Sequence, residues 1–317
     1  MEKGQFLSAL SNRWISAEQL GLASRQVDSL FAYLQSSAVG ARTMLVERDY
    51  VDADYLEDFA SFYVNCFPPY ARRCKRLHFF REDFTEQEVA AIVSGDDDGL
   101  GIDRLKSSYV GFVVARPLPE AVIGRTVLHR KPKSDDQREF YPVTRPYTPN
   151  LFGIELSVRS LAFEEQDTTV AACATVALWS AFHKTQELFY TPLPRPAAIT
   201  RAANVVRSAV RALPSHGLDA VQMSEAIRSI GLEAEHYWVE SNTPFASLVY
   251  AYVAAGIPVI LSGYIEGTKG DGFHAVTVTG YSFSNGLTKY PERPSNLIRS
   301  LPGRRIDRLF VHDDNIG

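Results

Sequence analysis

The sequence predicts an α+β protein in two parts, a small α/β unit over residues 1–150 and a second unit over residues 151–317 built behind an apolar helix. Three observations predict it. Both halves mix segments of helical period with β-rich runs, and neither contains an internal repeat. A polar, proline-containing stretch over residues 130–150 shows no clear period and reads as the inter-domain loop. The chain has 317 residues, 45% hydrophobic and 22% charged, which supplies enough apolar side chain for two domains rather than one.

In the first half, Leu56, Phe59, Ala60, Tyr63 and Val64 recur at helical spacing over residues 55–65. Asp54 is the expected cap of that helix, and Pro68 with Pro69 enforces its stop. Residues 108–115 and 121–128 are rich in β-branched and aromatic side chains and flank a short connection, so they read as two neighbouring strands.

The second half opens with Thr168 and Thr169, expected to cap a helix through residues 170–182 that is apolar on most sides. Asp219 and Gln222 have the spacing of a capping box. Met223, Ala226, Ile227 and Ile230 form an apolar face behind it, and Gly231 supplies the stop. A third helix is expected from Pro244 to Gly256, then a strand over residues 258–264 and two more beginning at His274 and Arg308.

Composition excludes several classes of function. The longest apolar stretch, residues 250–265, is broken by Gly256, Pro258 and Gly263, so no membrane span is expected. The first residues lack a long apolar run with a cleavage site, so no secretory signal is read and the cytoplasm is the expected compartment. Cys66, Cys74 and Cys173 make an odd number of thiols, which argues for reduced cysteines. A net charge of -4 spread over interspersed residues gives no drive toward nucleic acid or anionic membrane. Arg72, Arg73, Lys75 and Arg76 form a basic cluster among Phe67, Tyr70 and Phe79, read as a solvated face. Cys66, Cys74 and His78 lack paired-ligand spacing, so no metal is assigned there. Residues 96–99 resemble part of a calcium loop, but Leu105 stands where such a loop needs glutamate. No glycine-rich phosphate loop precedes a helix, and no cofactor is expected.

One constellation carries chemistry. Cys173 falls in the first turns of the apolar helix, where amide dipoles favour a thiolate. Downstream, a glycine-rich turn leads into alternating β residues, with His274, Val276 and Val278 expected on one face. A histidine at the start of such a strand is fixed by the sheet yet open to a cleft, as a general base must be.

Cys173 on its apolar helix, followed by His274, Ala275 and Val276 running to Gly280 and Tyr281, resembles the papain-like clan and in particular the C39-like peptidases. The resemblance covers residues 166–314, about half the chain, in the order Cys helix, helix, strand, helix, strand, His strand and final strand. It implies a papain-like cysteine hydrolase domain preceded by the small α/β unit. It also implies that Gln166 helps form the oxyanion hole, although seven positions before Cys173 is one longer than the usual pattern. Asp313 is the acid implied to orient the imidazole, with Asp314 as the alternative; His312 is a decoy for the base, read as a spectator from its place on the final strand beside the acid. The chain departs from many C39-like enzymes in having Ala174 after the cysteine, and in a charged insertion over residues 284–307. Its stop three residues after Asp314 reads as truncation of a longer chain. The expected activity is cleavage of a peptide or isopeptide bond in a peptide or protein substrate. Acyl transfer to an amine, and a non-catalytic peptide-binding module, are the alternatives.

Overall fold

The β-rich runs of the first half need a partner for every backbone amide, and they find it in each other. The computed structural model describes residues 1–23, 25–96, 99–130, 138–167, 169–170, 172–205, 217–240, 244–265, 272–283 and 302–315, and within them the chain is mixed α+β. Three helices, α1 (Lys3–Leu10), α2 (Ala17–Ala23) and α3 (Arg25–Gln35), precede β1 (Thr43–Tyr50). Then follow α4 (Ala53–Ser61), β2 (Cys74–Phe80), α5 (Glu86–Ser94), α6 (Leu100–Ser107), β3 (Tyr109–Ala115) and β4 (Ile123–Leu128). The four strands pair antiparallel in the order β1-β2-β3-β4. Alternation sends Leu77 and Phe79 to a face where they pack with Phe6, Leu10, Leu20, Val27, Leu30 and Leu34 of the first three helices. The opposite face carries Cys74, Phe80 and Phe112 into a larger core.

Short strands follow: β5 (Arg138–Phe140), β6 (Arg145–Tyr147), β7 (Asn150–Leu151), β8 (Ile154–Glu155) and β9 (Val158–Ser160). Next come four helices, α7 (Cys173–Phe189), α8 (Pro196–Ala203), α9 (Ala220–Ser229) and α10 (Phe245–Ala254), and three strands, β10 (Val259–Ile265), β11 (Gly272–Phe283) and β12 (Ile306–His312). The second sheet has the antiparallel order β10-β11-β12, with β5 against the far end of β11. At that crossing Gly280 is required, since a Cβ there would lie 2.1 Å from the Phe140 carbonyl oxygen. The sheet is packed on both faces. Thr277 faces α7, donating its hydroxyl to the Ala177 carbonyl at 2.7 Å, while Val278 packs with Val249 and Val253 of α10.

The expected boundary near residue 150 falls in β7. Side chains from both sides of it share one core: Tyr55, Tyr63 and Phe80 pack in the same cluster as Ala174, Leu178, Trp179 and Phe182. No helix among the described residues is long and apolar enough to cross a membrane.

Several local expectations need correction. The cap of α4 is Asp52, whose carboxylate accepts the Asp54 and Tyr55 N–H groups. Asp54 lies inside the helix and pairs with Arg125. The buried face of α4 is accordingly Asp54, Tyr55 and Asp58, and Leu56 and Val64 point to solvent. The Cys helix starts at Cys173 rather than near residue 170, and Thr168 lies outside the described residues. Among the described residues no strand separates α9 from α10. Arg76 of the basic cluster is buried against Glu47, and Lys75 donates to the Ala9 and Ser11 carbonyls, so only part of that run is a solvated face. The capping box of Asp219 and Gln222 is formed, and Gly231 follows α9 with φ +85°. Residues 97–98 of the acidic turn, 131–137 of the polar stretch and 284–301 of the insertion lie outside the described residues.

Candidate active site

The segment before α7 is held by an acid that the sequence reading passed over. The Asp167 carboxylate accepts the Thr169 and Val170 N–H groups at 3.0 and 2.7 Å, and the Tyr63 hydroxyl donates to it at 2.6 Å. The Thr200 hydroxyl adds a second anchor by donating to the Val170 carbonyl at 2.7 Å. With its entry fixed this way, α7 begins at Cys173 after an Ala172 cap that makes no side-chain bond. From Ala174 to Thr185 every residue of the helix is buried, the apolar ones together with Thr175, Ser180, His183, Lys184 and Thr185, so this is a central core helix covered on all sides.

The Thr277 to Ala177 bond sets α7 against β11 and so brings the start of the helix to the strand segment that carries the histidine. Cys173 is half-buried, and its Sγ lies 4.0 Å from the Phe273 carbonyl oxygen, beside the backbone that flanks His274. Burial pushes the Cys173 thiol up, and the negative charge of Asp314 adds to that. The amides of Ala275 and Ala174 oppose the shift. The packing around the sulfur therefore works against the thiolate that the helix dipole is expected to favour.

His274 is the third residue of β11 rather than the first. Its Nε2 is 3.1 Å from Asp313 Oδ1 and 3.4 Å from Asp314 Oδ1. Both acids thus meet the same ring nitrogen, which leaves Nδ1 for another partner. Asp313 is tied into a turn by accepting the Asn315 N–H at 2.9 Å. Gln166 donates from Nε2 to Asn315 Oδ1 at 3.2 Å, so a hydrogen-bonded chain runs from Gln166 through Asn315 and Asp313 to His274. Asp314 has a side chain only 1% exposed, and among the described residues no other residue's N–H or O–H completes a hydrogen bond to its oxygens. Burial pushes its carboxyl up to about 6, with His274 pulling the other way and Asp313 adding to the rise.

All the residues expected to act, Gln166, Cys173, His274, Asp313 and the alternative Asp314, therefore gather at the start of α7 and the ends of β11 and β12. Among the hydrogen bonds of the described residues, none joins the Cys173 thiol to the His274 ring. The Nε2–carboxylate contacts hold the ring, while the thiol meets the Phe273 carbonyl oxygen of the adjoining backbone. His274, Asp313 and Asp314 also form the one group among the described residues whose donor atoms converge within 4.8 Å as cation ligands would.

Sequence reasoning missed Asn315, which links Gln166 to the acid turn, and Glu165, whose carboxylate accepts the Ile123 N–H at 3.0 Å and which burial pushes up to about 7. The run of Glu164, Glu165, Gln166 and Asp167 was the available signal, since acids just before an apolar helix need buried partners. Arg116 is that partner, fully enclosed near Glu164 and bonded to the Glu165 carbonyl. His312 is a bystander to this chemistry. Its Nδ1 lies 3.5 Å from Ser180 Oγ, its ring packs on Phe163, and burial pushes it down to about 4. Cys74 is buried, and His78, farther along β2, has both ring nitrogens engaged, by Tyr109 and Glu47. Comparison with known proteins finds no matching family model, no similar curated protein and no similar solved structure.

Proposed function

We propose that this chain is a papain-like thiol hydrolase of the C39-like kind, cleaving a peptide or isopeptide bond in a cytoplasmic peptide or protein substrate. The observation that supports the reading is a hydrogen-bonded chain from Gln166 through Asn315 and Asp313 to His274, with the Cys173 Sγ 4.0 Å from the carbonyl oxygen of the residue before that histidine. A helix that begins at a cysteine and packs on a strand bearing a histidine is the arrangement a papain-like fold requires.

In this reading Asp313 holds Nε2, so Nδ1 is the nitrogen that takes the thiol proton as the sulfur attacks the carbonyl carbon. The carbonyl oxygen becomes an oxyanion, met by the backbone N–H of Cys173 and by Gln166 once its amide leaves Asn315. His274 then gives its proton to the departing amine, and water hydrolyses the thioester by the same route in reverse. No cofactor takes part. Tyr264 and Phe273 pair across β10 and β11 with rings 5.7 Å apart and largely exposed, and the Phe273 carbonyl oxygen meets the thiol, which suits a substrate with an apolar side chain near the scissile bond. The first 150 residues position that substrate or a partner.

A second reading, a peptide-binding module with no turnover, is favoured by the raised thiol pKa and by the missing thiol–imidazole bond. A peptidyl electrophile separates the two. The hydrolase reading expects covalent labelling of Cys173 that Cys173→Ala and His274→Ala abolish, and binding without labelling leaves the module. Added amines in a turnover assay distinguish hydrolysis from acyl transfer by the product formed.

A further inference from the structure

Between α3, β4 and the paired strands β11 and β12 lies a cavity of about 330 Å³. That is roughly eleven times the ~30 Å³ share of a water molecule and falls at the small end of ligand sites. The walls are largely apolar and aromatic, with Phe163, Phe310 and Tyr141 among them. The cavity adjoins the Cys173 cluster without including it: its wall residue His312 precedes Asp313 in the chain but touches Ser180, which is seven residues along α7 from Cys173, roughly 10 Å at helical rise.

Its two ends differ chemically. Gln26, in the first turn of α3, is 3% exposed and lines the cavity, and neither its amide nitrogen nor its amide oxygen has a hydrogen-bond partner among the described residues. Such a group is costly to bury unless something pairs with it. Two turns on, Tyr33 also lines the cavity and donates its hydroxyl to the His129 carbonyl at 2.5 Å, which puts Arg130 at that end. The Arg130 guanidinium lies 4.9 Å from the centre of the Tyr141 ring and, among the described residues, has no carboxylate partner. Gln26 and Tyr33 are seven residues apart on α3, so the polar ends stand roughly 10 Å from each other.

We propose that this cavity binds a small aromatic carboxylate with a hydrogen-bonding group at the far end of its ring. The carboxylate pairs with Arg130, the ring lies among Phe163, Phe310 and Tyr141, and the distal hydroxyl or amide meets Gln26. The proposal does not depend on the chemistry of Cys173.

The test is calorimetric titration of the full chain with 3-(4-hydroxyphenyl)propionate, 3-phenylpropionate and 3-(4-hydroxyphenyl)propionamide. Saturable one-to-one binding of the first is expected, with the deoxy acid about five- to tenfold weaker for one lost hydrogen bond. The neutral amide should bind at least tenfold more weakly than the acid, and Arg130→Met should erase that difference. Gln26→Leu should make the two acids equal while unfolding at no lower temperature than wild type, because it removes an unpartnered buried amide. Absence of saturable binding at millimolar ligand overturns the proposal. So does wild-type binding that ignores both the hydroxyl and the carboxylate, a comparison that needs no variant to fold.

Discussion

Replacing Asp314 by Asn isolates the least comfortable group of the site. Its carboxylate is buried, takes no hydrogen bond from another residue among those described, and sits beside a second acid, which together push its pKa up to about 6 against an ordinary 3.8. A carboxyl raised on folding destabilises the native state when ionised. The penalty is absent below the unfolded value, grows as pH rises from about 4 to about 6, and is complete above that. About two pK units correspond to roughly 3 kcal/mol. Asp314→Asn cannot ionise, so its stability relative to wild type should climb by that order between pH 4 and pH 7.5. The unpaired amide costs about 1–3 kcal/mol independently of pH, so the slope rather than the offset is diagnostic. Guanidinium denaturation of both proteins at several pH values measures it. Loss of the charge also lowers the Cys173 pKa, so alkylation by iodoacetamide at pH 7 should speed up. Stability curves that run parallel from pH 4 to pH 7.5 would refute the placement of an ionised Asp314 in that pocket.

Four further outcomes follow from the same geometry. Cys173→Ala should abolish turnover and leave the fold nearly intact, with His274→Ala similarly inactive, the double variant no worse, and Asp313→Ala retaining more activity; steady-state kinetics on the four proteins checks this. Tyr63→Phe leaves the Asp167 carboxylate without its hydroxyl donor and should cost about 1–3 kcal/mol by denaturant titration. Removing residues 1–150 strips Tyr55, Tyr63 and Phe80 from the core around Trp179, so the remaining chain should be insoluble or molten when expressed alone. Phe273→Ser, at a side chain 82% exposed, should leave stability unchanged and raise KM for substrates with an apolar side chain, read from a peptide series.

The elements of the second half were legible because their signals are local. Asp219, Gln222 and Gly231 bracket α9 with caps that need no tertiary contact, and the period of β11 is visible in the alternation after His274. The start of α7 was misplaced because its true anchor is tertiary: Asp167 is oriented by Tyr63, over a hundred positions earlier. The same holds for α4, whose buried face is acidic since Asp54 and Asp58 answer Arg125 and the Ala197 N–H. Hydrophobic periodicity cannot see such pairs. Within the site, the residue types were readable, and the sharing of Nε2 by two acids was not, because it depends on how the turn after β12 folds back on β11. A raised thiol pKa was also out of reach, since desolvation and the Asp314 charge are properties of the packed state.

The central claim, that Cys173 and His274 act as one unit, is tested most directly by the rate at which a peptidyl electrophile labels Cys173 across pH, read by intact-protein mass spectrometry. His274→Ala should label more slowly than wild type by at least an order of magnitude at neutral pH, and with a different dependence on pH. Equal labelling rates in the two proteins, with the same pH dependence, would contradict it.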